Sequence, residues 1–384
     1  MKKVLVMAAC AAGYAAGFAP MAHAQSSVTL YGIIDAGLSY TNNQGGHSNV
    51  QAGSGTVTGS HWGFHGREDL GGGTAAIFQL ESGFSVTNGS MRQGGRLFGY
   101  QAYAGLTNDR FGTVTLGRQY DSVVDYLAPL SFTGHHPGGN NLSAHPFDND
   151  NLNNSFRVDN SVKFASNDYN GLRFGSLYGF SNQAGGFSDN RLYSFGASYN
   201  NGPLSLGAGY LQANNGGSTT NTNGAITLTD RTFIAARQRT FGAGANYTVG
   251  AATLGFVWTR TQLGGLDTIN GANSLGIAAN GQGASFNNYE ANASYALTSA
   301  LSLNGEYTYT SGAMSTDTGA HHPKWQEVSL MADYSLSKRT DVYLQGSYQH
   351  VSADGSGLTA DVSGQTASST NQQVVVAAGM RHRF

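Results

Sequence analysis

The sequence predicts an all-β chain, a transmembrane antiparallel barrel of about sixteen strands, on three observations. The first is alternation. In the C-terminal segment, Val374, Val376, Ala378, Met380, His382 and Phe384 share one face, and Gln373, Val375, Ala377, Gly379, Arg381 and Arg383 share the other. Neighbouring side chains of a strand point to opposite faces, so this is a strand apolar on one side, polar on the other and closed by an aromatic residue. The second is composition. Only 11% of residues are charged, while Gly is present 55 times, Tyr 20 times and Phe 19 times. Soluble domains average about 25% charged residues. The slightly negative mean hydropathy is compatible with a membrane wall, because only alternate residues of a barrel strand face lipid. The third is punctuation, in which strand, short turn, strand and longer loop recur along the chain.

In chain order, Met1–Ala24 reads as a secretory leader: Lys2 and Lys3, an apolar stretch from Val4 to Phe18, and the small-x-small site Ala22-His23-Ala24. The stretch is too short and too glycine-broken for a transmembrane anchor. A single barrel domain is expected over 25–384. Its first strand is Val28–Leu38. A pair follows, from Ser60 to Asp69 and from Thr74 to Phe84, joined by the tight turn Leu70-Gly71-Gly72-Gly73. Further short turns fall at 108–111, 167–170, 201–203, 249–251, 297–299 and 337–339, built from residues that accept turn dihedrals. The longer connections, 214–230, 264–285, 312–323 and 353–371, are rich in Asn, Gly, Ser and Thr and are expected as loops. Short turns on one side and long loops on the other are the asymmetry of an outer-membrane barrel.

The strands between carry the same inverted pattern. Leu301, Leu303, Tyr307 and Tyr309 oppose Ser302, Asn304, Glu306 and Thr308, and Val342, Leu344 and Tyr348 oppose Asp341, Tyr343, Gln345, Ser347 and Gln349. So uniformly hydrophilic a set of partners implies a wet interior. Tyr and Phe at strand ends, among them Tyr178, Phe180, Tyr199, Tyr247 and Tyr295, fit girdles at the membrane interfaces. A closed barrel satisfies every backbone polar group in lipid, and one of this strand number leaves an aqueous channel.

Several chemistries lack support. The one cysteine, Cys10, lies in the leader, so the processed chain has no disulfide and no thiolate ligand. Loss of Lys2 and Lys3 leaves 18 basic against 22 acidic residues, a formal charge of −4, and no nucleic-acid partner is indicated. His135-His136 and His321-His322 have no carboxylate or histidine at ligand spacing, and no metal or cofactor is expected. The glycine runs at 71–73 and 138–139 lack the Lys-Ser/Thr and helix of a phosphate loop. No nucleophile, base and oxyanion set is visible, so an enzyme is not expected.

The segments Ser26-Ser27-Val28-Thr29-Leu30-Tyr31-Gly32, Gly66-Arg67-Glu68-Asp69-Leu70-Gly71-Gly72-Gly73, Phe111-Gly112-Thr113-Val114-Thr115-Leu116-Gly117-Arg118-Gln119-Tyr120, Asp159-Asn160-Ser161-Val162-Lys163 and Gly379-Met380-Arg381-His382-Arg383-Phe384 appear in order and with compatible spacing. Together they resemble the Gram-negative general diffusion porins of the beta-proteobacterial type, across the whole processed chain. The resemblance implies a sixteen-stranded homotrimer in the outer membrane that passes small hydrophilic solutes and ions. It also implies a third outer loop folded into the barrel, which falls here on 121–155, and Phe384 as the signal read by the barrel-assembly machinery.

The family sets wall arginines against loop acids. Carried over, this places Asp121, Asp125, Asp148 and Asp150 on the loop. On the wall it places His61 and Tyr100, where arginine is common, together with Glu81, Arg157 and Asp159. Arg157, Asp159, Ser161 and Lys163 are expected on one lumenal face. With the arginine cluster depleted, ion preference should be less anionic than in relatives that keep it, and acidification should move it toward anions through His61 and His65. Arg118 has the outward parity of Val114 and Leu116, which a lone arginine cannot keep against lipid. It is either a subunit contact or a residue at the loop junction. Two rival readings remain at this stage. A substrate-specific channel could use Tyr100 and Tyr126 as an aromatic track, and an adhesin or envelope anchor would present long loops on a plugged barrel.

Overall fold

The computed structural model describes residues 27–134, 141–269, 277–316 and 319–384; the expected leader, His135-His136 and Gly138-Gly139 lie outside the described residues. Eighteen strands are present among them: β1 Ser27–Gln44, β2 His47–Ser54, β3 His61–Gly71, β4 Thr74–Gly83, β5 Gln101–Asn108, β6 Gly112–Gln119, β7 Val158–Ala165, β8 Leu172–Gly179 and β9 Arg191–Asn201. They continue as β10 Leu204–Asn214, β11 Phe233–Val249, β12 Ala252–Ile269, β13 Ile277–Ala296, β14 Leu301–Thr316, β15 Gly319–His321, β16 Lys324–Ser335, β17 Thr340–Ser352 and β18 Gln372–Arg383.

These form one closed antiparallel sheet. β1 pairs with β3 through Ser27–Ile33 and with β2 above it, so β2 and β3 stand end to end in one wall position. β15 and β16 share a position against β14 in the same way. Eighteen strands therefore make the sixteen wall positions expected. The seam is the β1–β18 ladder. It ends where Gly32 and Phe384 exchange two backbone hydrogen bonds of 3.1 Å. A side chain at Gly32 would put a Cβ 2.6 Å from the Phe384 ring, so the terminal aromatic lies over a glycine.

Alternation is inside out. In β17, Asp341, Gln345, Ser347 and Gln349 are buried inward, while Leu344 and Tyr348 stand exposed on the outer wall. In β18, Val375, Ala377 and Arg381 face in, and Val376 and Met380 face out. The expected turns at 108–111, 167–170, 201–203, 249–251, 297–299 and 337–339 all fall between strands. Gly71, Gly72 and Gly73 have φ of 82°, 64° and 74°, a left-handed run that only glycine adopts cheaply.

Two expected loops are corrected. Most of 264–285 belongs to β12 and β13, and much of 312–323 to β14 and β15. Composition misleads there because backbone pairing continues in long hairpins whose side chains need no lipid-facing alternation. Register breaks between Leu263 and Thr268 absorb the glycines.

Candidate pore constriction

The described parts of the connection between β6 and β7, 120–134 and 141–157, lie inside the barrel. The connection opens with helix α1, Ser122–Tyr126, whose N-cap Asp121 accepts from the Val123 and Val124 amides at 2.7 and 3.4 Å. The inner wall receives α1 through a socket of glycines. A Cβ at Gly196 would lie 2.6 Å from the Tyr126 ring, one at Gly207 2.3 Å from the Tyr126 carbonyl, and one at Gly209 3.0 Å from Val123 Cα. Gly175, Gly242 and Gly244 meet Tyr126, Leu127 and Leu130 in turn. Val123, Leu127 and Leu130 pack with Leu177, Leu192, Leu211 and Val257 of the wall.

The returning leg is held by a buried polar network. His145 contacts Asp150 at 2.6 Å through Nδ1 and Glu290 of β13 at 3.1 Å through Nε2. Thr259 donates to Asp150 at 2.5 Å and Asn288 at 3.1 Å. The Phe132 amide donates to Glu290 at 2.6 Å. Burial by itself would lower the His145 pKa, but Asp150 and Glu290 outweigh it and hold it well above the ordinary histidine value. Burial likewise opposes ionisation of Asp150, yet the His145 charge and bonds keep its carboxyl below the usual range.

This geometry separates the expected site residues. His61, Glu81, Tyr100 and Arg157 come together, lining a chamber of about 670 Å³ with Tyr120, Arg92 and Asn154. Arg157 Cζ lies 4.5 Å from the Tyr100 ring centroid and 5.7 Å from that of Tyr120. The His61 ring is 5.7 Å from Tyr100. Glu81 accepts from Tyr31 at 2.6 Å and Gln79 at 3.2 Å, with Tyr120 at 3.5 Å. Arginine stacked on tyrosine faces is a cation–π arrangement that presents fixed positive charge to the chamber. Asp125 lies beyond it, paired with Lys163 in a second chamber of about 520 Å³ that reaches the short turn at Asn167 and Asp168. Gln101 and Gln119 line this chamber and Tyr100 and Tyr120 the first, so the two meet at that level.

Four expectations are corrected. Asp121 caps α1 and accepts from Asn151 at 2.7 Å. Asp148 accepts from the amides of Asn153 and Ser155 at 2.9 and 2.8 Å, tying a turn. Asp150 belongs to the His145 network. All three are buried and tie the loop together, and burial pushes Asp121 and Asp148 up to about 6. Asp159 leaves the row of Ser161 and Lys163, because Asn160 takes φ 51° and the β6–β7 register slips there. It meets Arg118 at 2.5 Å.

Arg118 also pairs with Asp230 at 2.5 Å and donates to the Gly99 carbonyl at 2.8 Å. Its charge is therefore satisfied within the chain at the loop junction, with no need of an acid from a neighbouring subunit. Tyr126 fills the glycine socket and lines the second chamber, apart from Tyr100. His321 is tied to the Asp354 carbonyl at 2.8 Å, a loop contact. Tyr120 and Arg92 were not singled out from sequence. Tyr120 carried one signal, its place directly after the last residue of β6.

The chain matches the family described as Gram-negative porin over residues 8–356. It is 32% identical to an outer membrane porin protein of Bordetella pertussis over 100% of both chains. It is 27% identical to the major outer membrane protein P.IB of Neisseria gonorrhoeae over 91% of this chain and 93% of that one. Among solved structures, the anion-selective porin from Comamonas acidovorans superposes with TM-score 0.70 at 24% identity, covering 94% of this chain and 100% of that chain. The trimer form of OmpT from Vibrio cholerae gives 0.63 at 17%, covering 94% and 99%. At these identities the structural likeness speaks for the fold.

Proposed function

The chain belongs to the Gram-negative porin family, outer-membrane channels for passive diffusion of small solutes rather than enzymes, and from that premise we propose how it selects what passes. Small hydrophilic solutes cross the chamber between Arg157 and Glu81, under the loop that α1 opens. The observation that carries this reading is the convergence of His61, Glu81, Tyr100, Tyr120 and Arg157 on one polar chamber. A solute there exchanges its water for charged and phenolic groups, while an apolar solute loses hydration without replacement.

Charge sets the ion preference. Arg157 and Arg92 oppose Glu81 in the first chamber, and Asp125 and Lys163 cancel in the second. This balance supports weak selectivity. The assembly is a homotrimer in this reading, supported by family membership and by the trimeric neighbour. The lipid of the outer membrane surrounds it, and the barrel-assembly machinery reads Phe384.

The test is single-channel conductance of the refolded full chain in a planar bilayer. Three equal conductance steps that scale with salt concentration are expected. Folded, inserted protein that does not conduct would overturn the reading.

A further inference from the structure

The outer wall carries a feature that the channel does not use. Arg237 and Arg239 on β11 and Arg260 on β12 share the outward parity of Phe241 and Trp258. Their neighbours Gln238, Thr240, Thr259 and Thr261 are buried inward. The ladder sets Arg237 opposite Gly264, Arg239 opposite Gln262 and Arg260 opposite Phe241. Together they line a groove of about 510 Å³ on the outside of the barrel, with Ser285, Ser315 and His322 on its far side.

Its position follows from the strand. Arg260 is about ten residues above the turn at Gly250, and a rise of ~3.3 Å per residue tilted by ~40° puts it ~25 Å up, at the top of an apolar band of that height. Directly below runs an aromatic rung. Phe241 and Trp258 are 5.7 Å apart edge to face, and Tyr289 and Tyr309 are stacked at 6.4 Å. Below the rung the wall is apolar, with Leu254 and Phe256 exposed.

The arginines are short of acids. Among the described residues none of the three has an ion-pair partner, and no carboxylate lines the groove. Arg239 donates to Gln212 at 2.8 Å, and Arg260 reaches Asn287 only at 3.5 Å. The Arg260 Nε is buried without a hydrogen-bond partner among the described residues. Asp267 stands higher on β12, outside the groove lining. The wall bearing this groove lies across the barrel from β3 to β5, and below the groove it exposes Leu254 and Phe256, the apolar face that such a barrel turns to lipid.

We propose that this groove binds the phosphate groups of an acylated sugar-phosphate lipid of the outer leaflet. Guanidinium groups match phosphate oxygens in pairs, and three of them at a lipid–water boundary, with an apolar wall beneath, suit one headgroup and its chains. The headgroup fills the arginine groove while the acyl chains lie on the aromatic rung and on Phe256 and Leu254. The lipid is structural or regulatory to the porin and does not enter the pore.

The test measures binding of diphosphoryl lipid A to the refolded full chain in detergent micelles, by native mass spectrometry across a lipid titration. Replacing all three arginines (R237Q, R239Q and R260Q together) should weaken binding by about tenfold or more, the loss expected when several charge-assisted hydrogen bonds go. Dephosphorylated lipid A should bind the native chain as weakly. A hundredfold excess of inorganic pyrophosphate should leave the lipid bound, because it lacks the chains. Channel conductance should be unchanged. If the triple variant does not fold, Arg260→Gln alone and the three-lysine variant (R237K, R239K and R260K) take its place, with weakened binding expected in each. Three results would overturn the proposal: unaltered lipid affinity in the variants, displacement of the lipid by pyrophosphate, or loss of the trimer with lipid binding per folded chain unchanged. The last would make the groove a contact between copies.

Discussion

Arg157 is held by two tyrosine faces and lines one chamber with Glu81, so its charge is fixed in the chamber that we propose solutes cross. Opposite charges at 4 Å interact by about 1 kcal/mol even in bulk water. Arg157→Glu should therefore raise the cation-to-anion permeability ratio several-fold, read as a reversal potential in a salt gradient. An unchanged ratio would remove Arg157 from the solute path. His61 lines the same chamber, its ring 5.7 Å from that of Tyr100. Arg157 stands just ahead of β7, outside the strand, and His61 was legible in the sequence because a strand's alternation says which side chains face in. Asp159 was not, because one left-handed residue, Asn160, breaks the period locally.

At the scale of elements, the inward loop rests on a glycine socket at one end and an ion network at the other. Gly196→Val drives a side chain into Tyr126, where overpacking costs about 1–3 kcal/mol. We expect α1 to be pushed toward the lumen and single-channel conductance to fall. Unchanged conductance would mean that α1 does not border the path. The other end depends on pH with a definite sign. His145 is raised above its ordinary 6.5, so its contribution is complete below that value and is lost as pH rises through the raised one. Asp150 is lowered from 3.8, so its contribution is complete above that value and is lost as pH falls through the lowered one. The pair therefore holds the loop through neutral pH. Asp121 and Asp148, raised to about 6, favour the docked loop most below 3.8 and less as pH climbs through about 6. Breaking a buried pair by removing one partner costs about 3–5 kcal/mol. His145→Gln should accordingly speed amide exchange over 145–152 at pH 7 by at least a hundredfold. Native-like protection would show that the network is dispensable. The four loop acids were visible as acids from the sequence. The burial of Asp150 was not, since it rests on Thr259 and Asn288, more than a hundred residues away.

For the whole molecule, sixteen wall positions closed by Gly32 and Phe384 leave each membrane-level strand two partners, which is what backbone in lipid requires. The sequence by itself determined the inverted alternation, the turns, the strand number and the family. All of these arise from a period of two and from residues that favour turns, which are local properties of the chain. Tertiary structure decided which charges face the pore, that Arg118 is neutralised by Asp159 and Asp230, and that three arginines stand together on the outer wall. Those outcomes rest on where a loop crosses the lumen and on the register between strands. Both are set by contacts between residues far apart in sequence, and no local pattern encodes them.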